Sequence, residues 1–306
     1  MAISAKQVKE LRQMTGAGMM DCKKALSEAQ GDMDKAVEVL RKKGLSAAAK
    51  KADRVAAEGA ITLEVSQDNT KATITEINAE TDFVAKNENF QNFAKDTSTH
   101  IHNESVSTVE ELHETTINGE RFADYLSTQV AKIGENLVVQ RFHTIETGDT
   151  GAVDGYLHAN GRIGVLVAAK CDSADTAKAI AGALKDVAMH AAAMNPPYLN
   201  AAAVAPEVIA KEEEIAKEQL KKEGKPEKIW DKILPGKIKK FYKDNTLEAQ
   251  PFVKDDKMSV AEFLSSAAKA VGGTAELVEF VRFELGENVE KKEDDFAAEV
   301  AAELGK

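Results

Sequence analysis

Apolar positions recur at helical spacing through three short stretches near the start of the chain, SAKQVKELRQM, MDCKKALSEAQ and DMDKAVEVLRKK. Ser4 supplies an N-cap, the TGAG turn at 15–18 and Gly31 separate the stretches, and Gly44 closes the third. The pattern predicts a three-helix bundle of about 45 residues, close to the lower size limit for independent folding, so it should gain from packing on a partner. Behind it, RKKGLSAAAKKADR at 41–54 carries Arg41, Lys42, Lys43, Lys50, Lys51 and Arg54 without a clear apolar stripe. It reads as a solvated linker helix, with a docking strip for an acidic partner as the alternative.

The period then changes from helical to alternating. GAITLEVSQDNTKATITEINAETD at 59–82 reads as a strand pair around Asp68-Asn69, and GAVDGYLHANGRIGVLVAAKCDSAD at 151–175 repeats the arrangement around Asn160-Gly161. Each hairpin runs into a helix, FVAKNENFQNFAKDTSTHI in the first copy and TAKAIAGALKDVAMHAAAM in the second. Each copy later adds a second helix and a further strand, LVVQRF at 137–142 and EFVRFEL at 279–285. The predicted class is α+β: two small antiparallel sheets covered by helices, built by duplication of one hairpin, helix, helix, strand module.

The copies differ between their helices, where the first spends residues 103–120 and the second 194–257. The extra text, PEVIAKEEEIAKEQLKKEG and PEKIWDKILPGKIKKFY, predicts two charged helices either side of Gly224-Lys225-Pro226, each opened by proline. Val208, Ile215, Ile229 and Ile233 form the apolar seam of an antiparallel coiled-coil hairpin, and Pro235-Gly236 should bend or shorten the returning helix.

Composition narrows the function. The 306 residues carry a formal net charge of -11, which argues against a phosphate-binding surface and so against direct nucleic-acid contact. Cys22 and Cys171 lie far apart with no metal-ligand spacing and suit a reducing compartment. The opening MAISAKQVKEL has no apolar core of a signal peptide, and no stretch approaches the length of a membrane span, so a cytoplasmic protein with no membrane association is expected.

Candidate chemistry is sparse. No GxxxxGK[ST], GxGxxG or GxSxG occurs, and the pair His100 and His102 would diverge on a helix. Glu110-Glu111 and Asp294-Asp295 sit in charged runs that read as solvated faces. No catalytic residue, cofactor or metal site is expected, and a hydrolase or transferase has no residues to stand on.

One position resists a simple reading. The helix after the first hairpin buries Phe90, Phe93, Thr97 and Ile101 by spacing, yet Lys86 and Asn87 interrupt the stripe before it reaches Phe83. Phe83 is either a core or staple contact behind an N-cap at Thr81 or Asp82, or an anchor displayed on a rigid corner for another protein to bury. The adjacent Met19 and Met20 are likewise core filler or a pliable contact surface.

TGAGMMDCKKAL at 15–26, TDFVAKN at 81–87, KIGEN at 132–136, GRIGVLVAAK at 161–170 and the ending RFELGENVEKKEDDFAAEVAA together resemble the bacterial translation elongation factor Ts family, in its order and across nearly the whole chain. The resemblance implies a non-enzymatic guanine-nucleotide exchange factor that engages the GTPase domain and a further domain of elongation factor Tu. It implies an N-terminal module with linker at 1–55, core subdomains at 56–147 and at 148–193 with 250–286, an inserted hairpin at 194–249, and a C-terminal module at 287–306. Thr81, Asp82, Phe83 and Val84 take the positions implied to disturb the partner's Mg²⁺ site. Leu11, Met19, Met20, Ile133, Gly134 and His158 take further contact positions, with His158 also readable as a plain turn residue. The hairpin is a candidate for self-association. A second reading needs no exchange: the opening bundle is also similar to ubiquitin-associated-type modules, which would make the protein an adaptor that binds a folded partner without altering its ligand.

Overall fold

Ser4 starts the first helix with a reciprocal cap, its hydroxyl accepting from the Gln7 N–H while the Gln7 side chain accepts from the Ser4 N–H. The computed structural model describes residues 3–289. Helix α1 (Ala5–Thr15) ends where Gly16 turns left-handed, α2 (Met19–Glu28) follows, and α3 (Met33–Ala49) is capped by Asp32. Val8, Leu11, Cys22, Ala25, Leu26 and Ala36 meet in the core of this bundle.

Gly44 does not close the third helix. It is buried inside α3, which continues to Ala49 because that half of the helix packs against α7 (Phe122–Ile133). Residues 41–54 are mostly exposed, as a solvated helix should be, but the Gly44 face is packed and three of the basic residues are tied down: Arg41 pairs with Asp124, Lys51 Nζ donates to the Gly134 carbonyl at 2.6 Å, and Arg54 lies 3.5 Å from Glu80.

The duplicated core follows. Strands β1 (Glu58–Val65) and β2 (Lys71–Ala79) lead to the one-turn helix α4 (Asp82–Ala85), then α5 (Glu88–Asn103), α6 (Val109–Glu114) and the short pair β3 (Thr116–Ile117) and β4 (Glu120–Arg121) before α7 and β5 (Leu137–Glu146). The second copy runs β6 (Gly151–Leu157), β7 (Ile163–Cys171) and α8 (Ala174–Met194). It is interrupted by α9 (Pro206–Lys222), α10 (Trp230–Asn245), β8 (Pro251–Phe252) and β9 (Asp255–Ser259), and closes with α11 (Val260–Lys269) and β10 (Ala275–Glu284).

The sheet orders are β1-β2-β5 and β6-β7-β10, so in each the second strand of the hairpin is central. In the second sheet both neighbours of β7 are antiparallel. Residues 72–79 of the central strand β2 are buried without alternation, including Glu76, whose carboxylate accepts from Arg141 Nε and the Gly286 N–H, each at 2.7 Å. The α+β class with small antiparallel sheets is observed.

The chain divides into two compact units. One takes the chain up to Ala60, Glu76–Phe142 and the stretch from Leu285, and the other Ile61–Thr75 and His143–Glu284. In the first, Phe90, Phe93, Ile101, Phe122 and Val139 fill the core; in the second, Val165, Val167, Leu184, Val187 and Leu264 do. The expected C-terminal module lies, beyond residue 289, outside the described residues.

The inserted helices form, and of the expected seam residues Ile233 packs into their shared cluster. Ala216, Leu220 and Leu234 are buried between them, with Trp230 and Ile233 packed alongside, while Ile215 stays exposed. Pro226 opens a 3₁₀ turn, Glu227–Ile229, rather than the helix itself, and α10 runs on through Pro235 to Asn245.

Candidate functional site

The helix predicted over 83–101 is two helices, and the break between them accounts for the gap in its stripe. Helix α4 is capped by Thr81, whose hydroxyl accepts from the Val84 N–H, and Asn87 opens α5 by accepting from the Asn89 N–H. A four-residue turn faces inward only once around its circumference. Ala85 and part of Val84 take that face against the core, so Phe83 points outward with 82% of its surface exposed.

The corner is held from a distance in sequence. Glu135 accepts from the Thr81 backbone N–H at 3.0 Å and from its hydroxyl at 2.7 Å, one carboxylate oxygen for each. Next to it, the Asn136 N–H donates to Glu80 at 2.6 Å and its side chain donates to the Arg54 carbonyl at 2.8 Å. KIGEN and TDFV, separate in the sequence, thus form one braced assembly. Lys132, the first residue of KIGEN, also lies against Gly16, where an added Cβ would meet its Cε at 3.1 Å, so the α1–α2 turn belongs to the same neighbourhood.

Asp82 is half-exposed, and its carboxylate pairs with Lys86 Nζ at 2.7 Å, one helical turn away. That hydrogen bond holds the Asp82 carboxyl below the ordinary carboxylate range, so the group carries full negative charge at neutral pH.

The other expected positions differ in access. Met19 and Met20, on the first turn of α2, are 60% and 61% exposed. Leu11 has no exposed surface and sits in the bundle core, where nothing outside the chain can touch it. Ile133 is half-buried against the first core, and Gly134 is exposed in the left-handed C-cap of α7. His158 belongs to the second unit, exposed on the β6–β7 turn with Nδ1 3.1 Å from the Tyr156 hydroxyl.

Sequence reasoning missed the brace from Glu135 and the pairing of Lys86 with Asp82. Lys86 had a signal, its i,i+4 spacing from Asp82. Glu135 stands inside the KIGEN motif, but nothing local points to its partner, which is on another element. Among the described residues no group of three His, Cys, Asp or Glu side chains is placed to hold a metal ion, and no helix is long and apolar enough to cross a membrane.

Residues 80–287 match the family model described as Elongation factor TS. Proteins named Elongation factor Ts align with the chain from end to end. The one from a Nitratiruptor species is 60% identical over 304 residues, covering 99% of this chain and 100% of its own. That from Nautilia profundicola is 54% identical over 303 residues, covering 99% of each. That from Campylobacter curvus is 49% identical over 354 aligned residues, covering 100% of each. The braced corner and the duplicated core therefore lie inside a matched region of known kind, and the chain belongs to the elongation factor Ts family.

Proposed function

We propose that the protein is a guanine-nucleotide exchange factor for elongation factor Tu, acting in the cytoplasm during translation elongation, and that Phe83 is its lever. The observation that carries this reading is an aromatic ring left exposed on a one-turn helix whose base is clamped by Glu135. Burial of such a ring by a partner stabilises a complex by about 2–3 kcal/mol, and a rigid base lets that energy act on the partner rather than bend the corner.

A GTPase holds GDP in part through Mg²⁺ on the phosphates, so small displacements of the groups around the metal weaken the nucleotide. In this reading Phe83 enters the GTPase domain between its packed elements, and the ionised Asp82 disturbs the metal's surroundings. The exposed pairing with Lys86 is weak enough to be exchanged for new partners. Thr81 and Val84 serve the corner itself, as cap and as inward anchor. Met19, Met20, Gly134, the accessible part of Ile133 and His158 extend the contact to the GTPase domain and a further domain, while Leu11 supports the bundle from inside. Any self-association would use the inserted hairpin, where Ile215 remains exposed on α9.

The effect follows from linkage. A protein that binds the nucleotide-free GTPase more tightly than the GDP form must lower GDP affinity by the same factor, and about 4 kcal/mol of preference corresponds to roughly a thousandfold. No bond is broken in the process. The test is release of labelled GDP from elongation factor Tu: acceleration by this protein supports exchange, whereas binding without acceleration supports the adaptor reading.

A further inference from the structure

Three thioethers stand within seven residues around the α1–α2 turn. Met14, on the last turn of α1, is 61% exposed, much as Met19 and Met20 are on the first turn of α2. Met14 also lines a groove of about 560 Å³ between the bundle and α7, together with Gly18, Asp21 and Lys132. The thiols offer a contrast. Cys22 and Cys171 are buried, and burial pushes both above the ordinary thiol range, which suppresses the thiolate that oxidants attack.

We propose that Met14, Met19 and Met20 form an oxidation-sensitive patch through which a peroxide lowers the protein's affinity for its GTPase partner. In each step the thioether sulfur takes one oxygen atom from hydrogen peroxide. An S–O bond forms, the O–O bond breaks, sulfur loses two electrons and the peroxide leaves as water. Access alone governs a thioether's reactivity, because it has no proton to lose, so the exposed methionines react while the buried cysteines do not. The product carries a polar S=O group where an apolar, pliable contact was. Burying it against a partner requires its desolvation, so the complex is weakened without unfolding the bundle. Reduction by a dithiol-dependent methionine sulfoxide reductase removes the oxygen as water, oxidises two thiols to a disulfide and restores the contact. The consequence for binding rests on the exchange-factor reading.

The experiment treats the full chain with hydrogen peroxide, maps oxygen addition by peptide mass spectrometry, and measures affinity for GDP-bound elongation factor Tu. Sulfoxide at the three positions, intact thiols at Cys22 and Cys171, and an affinity loss of about tenfold that the reductase reverses are expected. The loss is read as the ratio of treated to untreated protein. That ratio should approach one in the triple variant Met14→Leu, Met19→Leu, Met20→Leu and stay near tenfold in Met194→Leu, which removes an exposed methionine elsewhere. Oxidised patch with unchanged affinity, or an equal loss in the triple variant, would overturn the proposal. Untreated protein that binds without releasing GDP would instead overturn the exchange reading, since the patch is read from binding.

Discussion

Glu135 grips Thr81 by both ends, one carboxylate oxygen on its backbone N–H at 3.0 Å and the other on its hydroxyl at 2.7 Å. Thr81 in turn caps the turn that carries Phe83, so a residue at the end of α7 sets the direction of a ring it does not touch. Removing a charged partner from two hydrogen bonds costs about 1–3 kcal/mol. Glu135→Ala should lower stability by that amount in urea denaturation and slow exchange as well. Glu135→Gln should fall between, since its amide keeps one acceptor for the N–H. Exchange at the wild-type rate in Glu135→Ala would mean the clamp is irrelevant to the corner.

The Asp82–Lys86 pair is solvent-facing, and exposed pairs of this kind contribute little to stability. Asp82→Asn should therefore leave the unfolding midpoint almost unmoved, within about 0.5 kcal/mol, while slowing GDP release. An exchange rate unaffected by loss of the charge would remove Asp82 from the mechanism.

Gly44 is a buried glycine in the middle of a helix, yet its φ is not left-handed and a Cβ there would meet the Ser127 carbonyl at 3.6 Å and Ala131 at 3.8 Å, ordinary contact distances. The site accepts a methyl group. Gly44→Ala should raise stability by about 0.5–1 kcal/mol through helix propensity, measured by thermal or urea unfolding. A drop in stability would show that α3 and α7 need the glycine's closer approach.

His190 is buried and neutral by construction: the Val253 N–H donates to its Nδ1 at 3.2 Å, which leaves Nε2 to donate to Gln250 at 2.9 Å. Burial depresses its proton affinity below the ordinary value of 6.5, and burial does the same to His100 beside Phe122. With a folded-state value below the unfolded one, this stabilisation is complete above pH 6.5 and is lost as pH falls through the folded-state value. Urea midpoints should decline as the pH is lowered from neutrality through that window, and His190→Gln should flatten part of that decline. An unchanged pH slope in the variant would exclude His190 as a cause.

Local pattern carried the elements whose cause is local. Both hairpins and their turns at Asn69 and Gly161 follow from alternation, turn residues and the repeat. Elements decided by tertiary contact read differently in sequence and structure. Gly44 looks like a stop because glycine is a poor helix former, but α7 covers that half of α3 and outweighs the propensity. In the inserted hairpin the bulky Val208 and Ile215 suggest a seam, whereas close helix approach favours Ala216 with Leu220 and Leu234. At the site, the gap before Phe83 is visible as a broken stripe, but its cause, a second cap at Asn87, and the brace from Glu135 require the fold.

Phe83→Ala tests the central claim most directly. The ring is exposed in the free protein, so the variant should unfold within about 0.5 kcal/mol of wild type. An anchor contributing about 2 kcal/mol implies a fall in elongation factor Tu GDP release of roughly thirtyfold at equal protein concentration. GDP release by Phe83→Ala at the wild-type rate, with stability unchanged, would contradict the account.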